Sequence, residues 1–166
     1  MNRFLTKILL LACLVIFPTM STWAKKAESE TPLKEMLDKY SEIEGVEYID
    51  LKGLLLKFAK PAMKGTPMAD MVEYLENICI FHVDKLSSDV SKKFNNDLTS
   101  VLSGYIKVTE TKEDKILSSV YVKKSDEDTV SELLVYSTGA GINIVTMTGN
   151  IPVSELKKMT VSETEQ

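Results

Sequence analysis

Ile116-Leu117-Ser118-Ser119-Val120-Tyr121-Val122-Lys123-Lys124, then Ser125-Asp126-Glu127-Asp128, then Val130-Ser131-Glu132-Leu133-Leu134-Val135-Tyr136-Ser137-Thr138, reads as two strands joined by a short polar link. The same pattern extends both ways. Residues 105–111 precede it across Lys112-Glu113-Asp114-Lys115, and residues 142–148 follow across Gly139-Ala140-Gly141. Links this short join antiparallel neighbours, so the second half predicts a four-stranded meander.

Upstream of the meander the period changes to that of a helix. Leu86, Val90, Phe94, Leu98 and Val101 recur at spacings of four, four, four and three before Gly104. Leu33, Met36, Leu37, Tyr40 and Ile43 form a second such stripe, opened by Thr31-Pro32 as N-cap and first-turn proline and closed by Gly45. Val46 to Leu51 predicts a short strand. Ile78-Cys79-Ile80-Phe81-His82-Val83, apolar on both faces, predicts a buried interior strand. A short helical piece is expected around Asp70 to Leu75, and a last short helix from Gly149-Asn150-Ile151-Pro152 through Met159. Early helices and late hairpins point to an α+β fold: a mixed sheet of about six strands ending in an antiparallel meander, with amphipathic helices mainly on one face.

The N-terminus reads as a secretory signal peptide over residues 1–24. Arg3 and Lys7 precede an apolar run from Ile8 to Phe17, Pro18 breaks it, and Thr22-Trp23-Ala24 supplies small residues at −3 and −1. Ten apolar residues span about half a bilayer core, so no transmembrane segment is expected after cleavage. Leu10-Leu11-Ala12-Cys13 loosely matches a lipoprotein box, but lipidation at Cys13 would leave Leu14-Val15-Ile16-Phe17 at the mature end; the cleaved, periplasmic or secreted form is the stronger reading. A linker at 25–31, one domain at 32–160 and a polar tail at 161–166 complete the chain.

All 166 residues carry a formal charge of −4, from 20 basic and 24 acidic residues. Loss of Arg3 and Lys7 leaves 18 basic residues against the same 24 acidic ones, a net of −6. An acidic domain of this size lacks the basic footprint of nucleic-acid binding. Of two cysteines, Cys13 leaves with the leader, so no internal disulfide is expected.

No catalytic set assembles. Cys79 and His82 stand three apart in one strand, hence on opposite faces. One histidine and one mature cysteine make no zinc site, and Ser125 to Asp128 lacks the glycine and glutamate spacing of a calcium loop. Gly139-Ala140-Gly141 precedes a strand and not a helix, so it is a turn and not a phosphate cradle. Glu73 and Glu76 read as solvated carboxylates. Met63, Met68 and Met71 lack a convergent His or Cys for copper. No metal or cofactor is expected, and the chain is read as non-enzymatic.

One segment departs from the background. Residues 51–69 hold no acid but carry Lys52, Lys57, Lys60 and Lys64. On a helical wheel Lys57, Lys60 and Lys64 lie opposite Leu51, Leu54, Leu55, Phe58 and Ala62. Such a helix either packs its apolar stripe on the core with lysines in solvent, or lies on an anionic membrane or a protein partner. Lys57, Lys60, Lys64 and Met68 are the candidate contacts. A small-ligand carrier, with an apolar pocket between sheet and helices near Phe58, Met63 and Phe81, is the alternative.

Several stretches in order carry a family resemblance: Leu37-Asp38-Lys39-Tyr40 with Gly45-Val46; the apolar-lysine helix from Leu54 to Met63; Ile78 to Val83; and Glu132-Leu133-Leu134-Val135 through Ile144-Val145 and Thr148-Gly149-Asn150-Ile151 to Leu156-Lys157-Lys158. By these the mature chain resembles a family of small exported proteins of Bacteroidota catalogued as a domain of unknown function. The resemblance implies export, a single domain and company with envelope proteins. It carries over no catalytic residue.

Overall fold

The structure, a computed structural model, describes residues 31–63, 71–139 and 141–156. The expected leader at 1–24, most of the linker and the tail at 161–166 lie outside the described residues, as do Lys64 and Met68.

Helix α1 (Pro32–Ser41) starts where the sequence predicts, with the Thr31 side chain accepting from the Lys34 amide and proline in the first turn. Strand β1 (Val46–Lys52) leads directly into α2 (Gly53–Met63), so Leu51 belongs to the strand and not to the helical stripe. Pro61 lies within α2, and the helix runs on to Met63. A single 3-10 turn (Met71–Tyr74) precedes β2 (Leu75–Val83), which begins three residues before the apolar run that announced it. Helix α3 (Ser88–Leu102) then leads to β3 (Ile106–Glu113), β4 (Ile116–Lys124), β5 (Thr129–Thr138) and β6 (Ile142–Pro152).

The six strands form one sheet in the order β1-β2-β6-β5-β4-β3. Its class and strand number are those expected, but every pairing is antiparallel where the sequence pattern suggests a mixed sheet. The reason is β6. It runs through Gly149-Asn150-Ile151-Pro152, the segment assigned to a helix start, and inserts between β2 and β5. A helix begins only at Val153. Ile151 is fully buried, so the strand is held by its apolar contact although Pro152 donates no hydrogen bond.

The sheet is covered on both faces. On one, α1 and α3 press Leu33, Leu37, Tyr40, Phe94 and Leu98 onto Cys79, Phe81, Leu134 and Ile144. Phe94 sits edge-on to Tyr40 and stacks with Phe81 at 5.6 Å between centroids. These two strongly amphipathic helices share a face, as expected. On the other face, Leu56 of α2 joins Met71, Val72 and Leu75 against Ile78, Val122, Leu133, Val135, Val145 and Met147. The outer strand β3 is exposed along its whole length.

Candidate functional site

Helix α2 does not lie as its apolar pattern suggests. Leu56 is 3 % exposed, whereas Leu55 is 58 % and Phe58 72 % exposed. Leu55 and Phe58 therefore point away from the sheet, and Leu56 packs against it. Lys57, one of the predicted contacts, is exposed on the same helix. Lys60 lies on the same helix, and its side chain, like Lys64 and Met68, falls outside the described residues. Met71 is a core residue, 1 % exposed.

A second feature occupies the end of the sheet beneath the start of α1. Register pairs Lys52 with Asn77, Asn77 with Thr148, Thr148 with Glu132 and Glu132 with Lys123. Directly opposed residues in antiparallel strands share a face, so five polar side chains from five strands form one row where the apolar core stops. Both pairings of β6 shift register at this row, one between Leu75 and Asn77 and the other between Val130 and Glu132. Such irregularities re-aim side chains locally.

At the centre of the row Glu132 is 4 % exposed. The Tyr105 hydroxyl donates a hydrogen bond to its carboxyl. Burial pushes that carboxyl above the usual range, and a hydrogen bond from the Thr31 hydroxyl only partly offsets the shift. Glu132 thus ties the exit of α3 and the entrance of α1 to the sheet.

Beside it lies a cleft of about 650 Å³, within the size range of small-molecule sites. Its lining combines Lys34, Lys52, Lys57, Asn77, Thr146 and Thr148 with apolar Leu56, Val72 and Leu75 and the carboxylates of Glu73 and Glu76. Lys34 is held in an ion-pair network with Asp38 at 2.8 Å and Asp50 at 3.1 Å, and Tyr48 also donates to Asp38. Burial alone would lower the Lys34 pKa and raise that of Asp38; their mutual pairing outweighs it and shifts each the other way. Asn77 Oδ1 is enclosed and accepts no hydrogen bond among the described residues, and an unmet buried acceptor costs about 1–3 kcal/mol.

The residues weighed for catalysis are not brought together. Cys79 is enclosed under α1, and burial, chiefly, pushes its thiol up to about 11, the opposite of an activated nucleophile. His82 lies on the other face near the strand end, its Nδ1 2.6 Å from Asn143 Oδ1 and its Nε2 3.2 Å from Asp84. Glu73 belongs to the 3-10 turn and Glu76 to β2, both exposed, so they share no helix. The Ser125–Asp128 link is a hairpin tip in which Asp126 accepts from the Asp128 amide. Among the described residues no three His, Cys, Asp or Glu side chains converge as a metal site, and no helix is long and apolar enough to cross a membrane.

Sequence reasoning did not find the Glu132–Tyr105–Thr31 contact or the cleft. Their residues lie far apart in the chain and meet only through strand order. Glu132 offered no local signal either, because the Leu133-Leu134-Val135 run that follows it is apolar throughout and hides which face is which.

Residues 40–159 match the family described as Domain of unknown function (DUF4252). The chain belongs to this family. The DUF4252 match covers all six strands, α2 and α3, and so includes Lys52, Asn77, Glu132 and Thr148 of the polar row; Thr31 and Lys34 precede it. No curated protein and no solved structure matches the chain.

Proposed function

We propose that this DUF4252 protein is an exported, non-enzymatic envelope component that attaches to an anionic membrane surface through the outer face of α2. The observation that carries the reading is the outward orientation of Leu55 and Phe58 in a helix that also exposes Lys57 and buries Leu56. Charge complementarity selects the occupant. Residues 51–69 are free of acid and carry four lysines in a protein that is otherwise acidic. Apolar side chains enter the boundary between headgroups and acyl chains, while each lysine near an anionic surface adds about 1 kcal/mol.

The test is sedimentation of the chain from Lys25 onward with vesicles of phosphatidylglycerol or of phosphatidylcholine. Binding to the anionic vesicles alone, weakened by salt and reduced at least about tenfold by Leu55→Ser with Phe58→Ser, supports the proposal. Reversal of charge at Lys57, Lys60 and Lys64 should have the same direction of effect. Absence of vesicle binding, or binding indifferent to these changes, overturns it; capture of an envelope protein that depends on Leu55 and Phe58 would assign the surface to a protein partner instead. The carrier reading, with an apolar pocket, draws less support, because Phe81 is packed in the core and Phe58 faces solvent.

A further inference from the structure

The cleft at the polar end of the sheet combines features that an acidic protein has no structural need to gather. Lys34 of α1, Lys52 of β1 and Lys57 of α2 all line it. Asp50 pairs with Lys34 at 3.1 Å and with Lys52 at only 3.6 Å, and Lys52 remains 40 % exposed to the cleft and solvent. The lining adds the hydroxyls of Thr146 and Thr148 and the side-chain amide of Asn77. Leu56, Val72 and Leu75 supply apolar lining, and Glu73 and Glu76 add carboxylates.

We propose that this cleft binds a small hydroxylated anion, a monosaccharide-sized polyol bearing one carboxylate or phosphate. The acidic group is held by Lys52 and Lys57. Ligand hydroxyls donate to Glu76 and exchange hydrogen bonds with Thr146 and Thr148. The C–H face of the polyol lies on Leu56, Val72 and Leu75. Lysine is suited to a compact anion held as a point charge, whereas the neutral and acidic acceptors around it select for hydroxyl donors. Asn77 and Thr148 are directly paired across β2 and β6 at the cleft, the last regular pair before the register shift.

The experiment is amide NMR of the ¹⁵N-labelled chain titrated with D-glucuronate, with glucose 6-phosphate, and with uncharged D-glucose. The expected result is saturable perturbation at Asn77, Thr146 and Thr148 with at least one of the two anions, and binding of D-glucose weaker by about tenfold or more. The anion that responds distinguishes a carboxylate from a phosphate. Lys52→Gln and Thr148→Val should each weaken that binding by about tenfold while leaving resonances of α3 unmoved. Phe58→Ser should bind the anion as the unaltered protein does, which separates this site from membrane attachment. No saturable response to either anion, an equal response to D-glucose, or undiminished binding in Lys52→Gln and Thr148→Val overturns the proposal.

Discussion

Leu56 and Phe58 stand two residues apart on α2, yet one is 3 % exposed against the sheet and the other 72 % exposed to solvent. Two steps along a helix turn a side chain by about 200°, so both cannot face the core. The fold buries Leu56 and leaves Phe58 out. Leu56→Ala should therefore cost about 2–4 kcal/mol in urea denaturation, and Phe58→Ser no more than about 0.5 kcal/mol. Equal losses would show that the phenylalanine is also packed in solution.

Gly149 marks the point at which β6 passes beneath the 3-10 turn. A Cβ built there would stand 2.1 Å from the Tyr74 carbonyl oxygen and 3.0 Å from Leu75 Cα. Its φ of +154° adds a conformational penalty for any other residue. Both obstacles are backbone and cannot swing aside. Gly149→Ala should destabilise the protein by about 3 kcal/mol or more, measured as a lowered urea midpoint. A change below about 0.5 kcal/mol would contradict this close approach.

Glu132 sets a pH dependence of known sign. Its folded pKa lies above the usual 4.5, so the folded state binds the proton more tightly than the unfolded state. The stability this contributes is complete below about 4.5 and is lost as pH rises through the folded value. Glutamine keeps an acceptor for Tyr105 without the charge. Glu132→Gln should match the unaltered protein near pH 4 and exceed it in stability at pH 7, by paired urea titrations. Asp38, whose pKa is lowered through Lys34, titrates in the opposite sense in both proteins and cancels in the comparison. A deficit of the variant at pH 7 would contradict the account.

Cys79 should be chemically quiet. It is 1 % exposed and its thiol is pushed up to about 11. At pH 8 thiolate scarcity alone predicts iodoacetamide alkylation about a hundredfold slower in the native protein than in urea, with enclosure slowing it further. Comparable rates would mean that α1 opens readily over the sheet.

Much of this fold was legible in the residues. The stripe from Leu86 to Val101, the Thr31-Pro32 helix start and the four late β runs each give one period over enough residues to exclude the other. The errors arose where local pattern and tertiary contact disagree. Gly149-Asn150-Ile151-Pro152 has the chemistry of a turn before a helix, but burial of Ile151 extends the strand through it. The early start of β2 was hidden by the register shift between Leu75 and Asn77, which interrupts alternation. The apolar stripe of α2 was visible, whereas its direction was not: periodicity identifies a face without saying what covers it. The cleft was illegible for another reason. Lys52, Asn77 and Thr148 become neighbours only through the pairing of β2 with β1 on one side and β6 on the other, and no local spacing encodes that order.

Trp23 is the only tryptophan of the chain and lies in the expected leader, so the chain from Lys25 onward offers a silent background for a single probe. The most direct test of membrane attachment is the fluorescence of Phe58→Trp as phosphatidylglycerol vesicles are added. The account predicts a saturable blue shift, absent with phosphatidylcholine, as the ring leaves water for the headgroup boundary. An emission maximum that stays at its solvent-exposed position at every lipid concentration would contradict it.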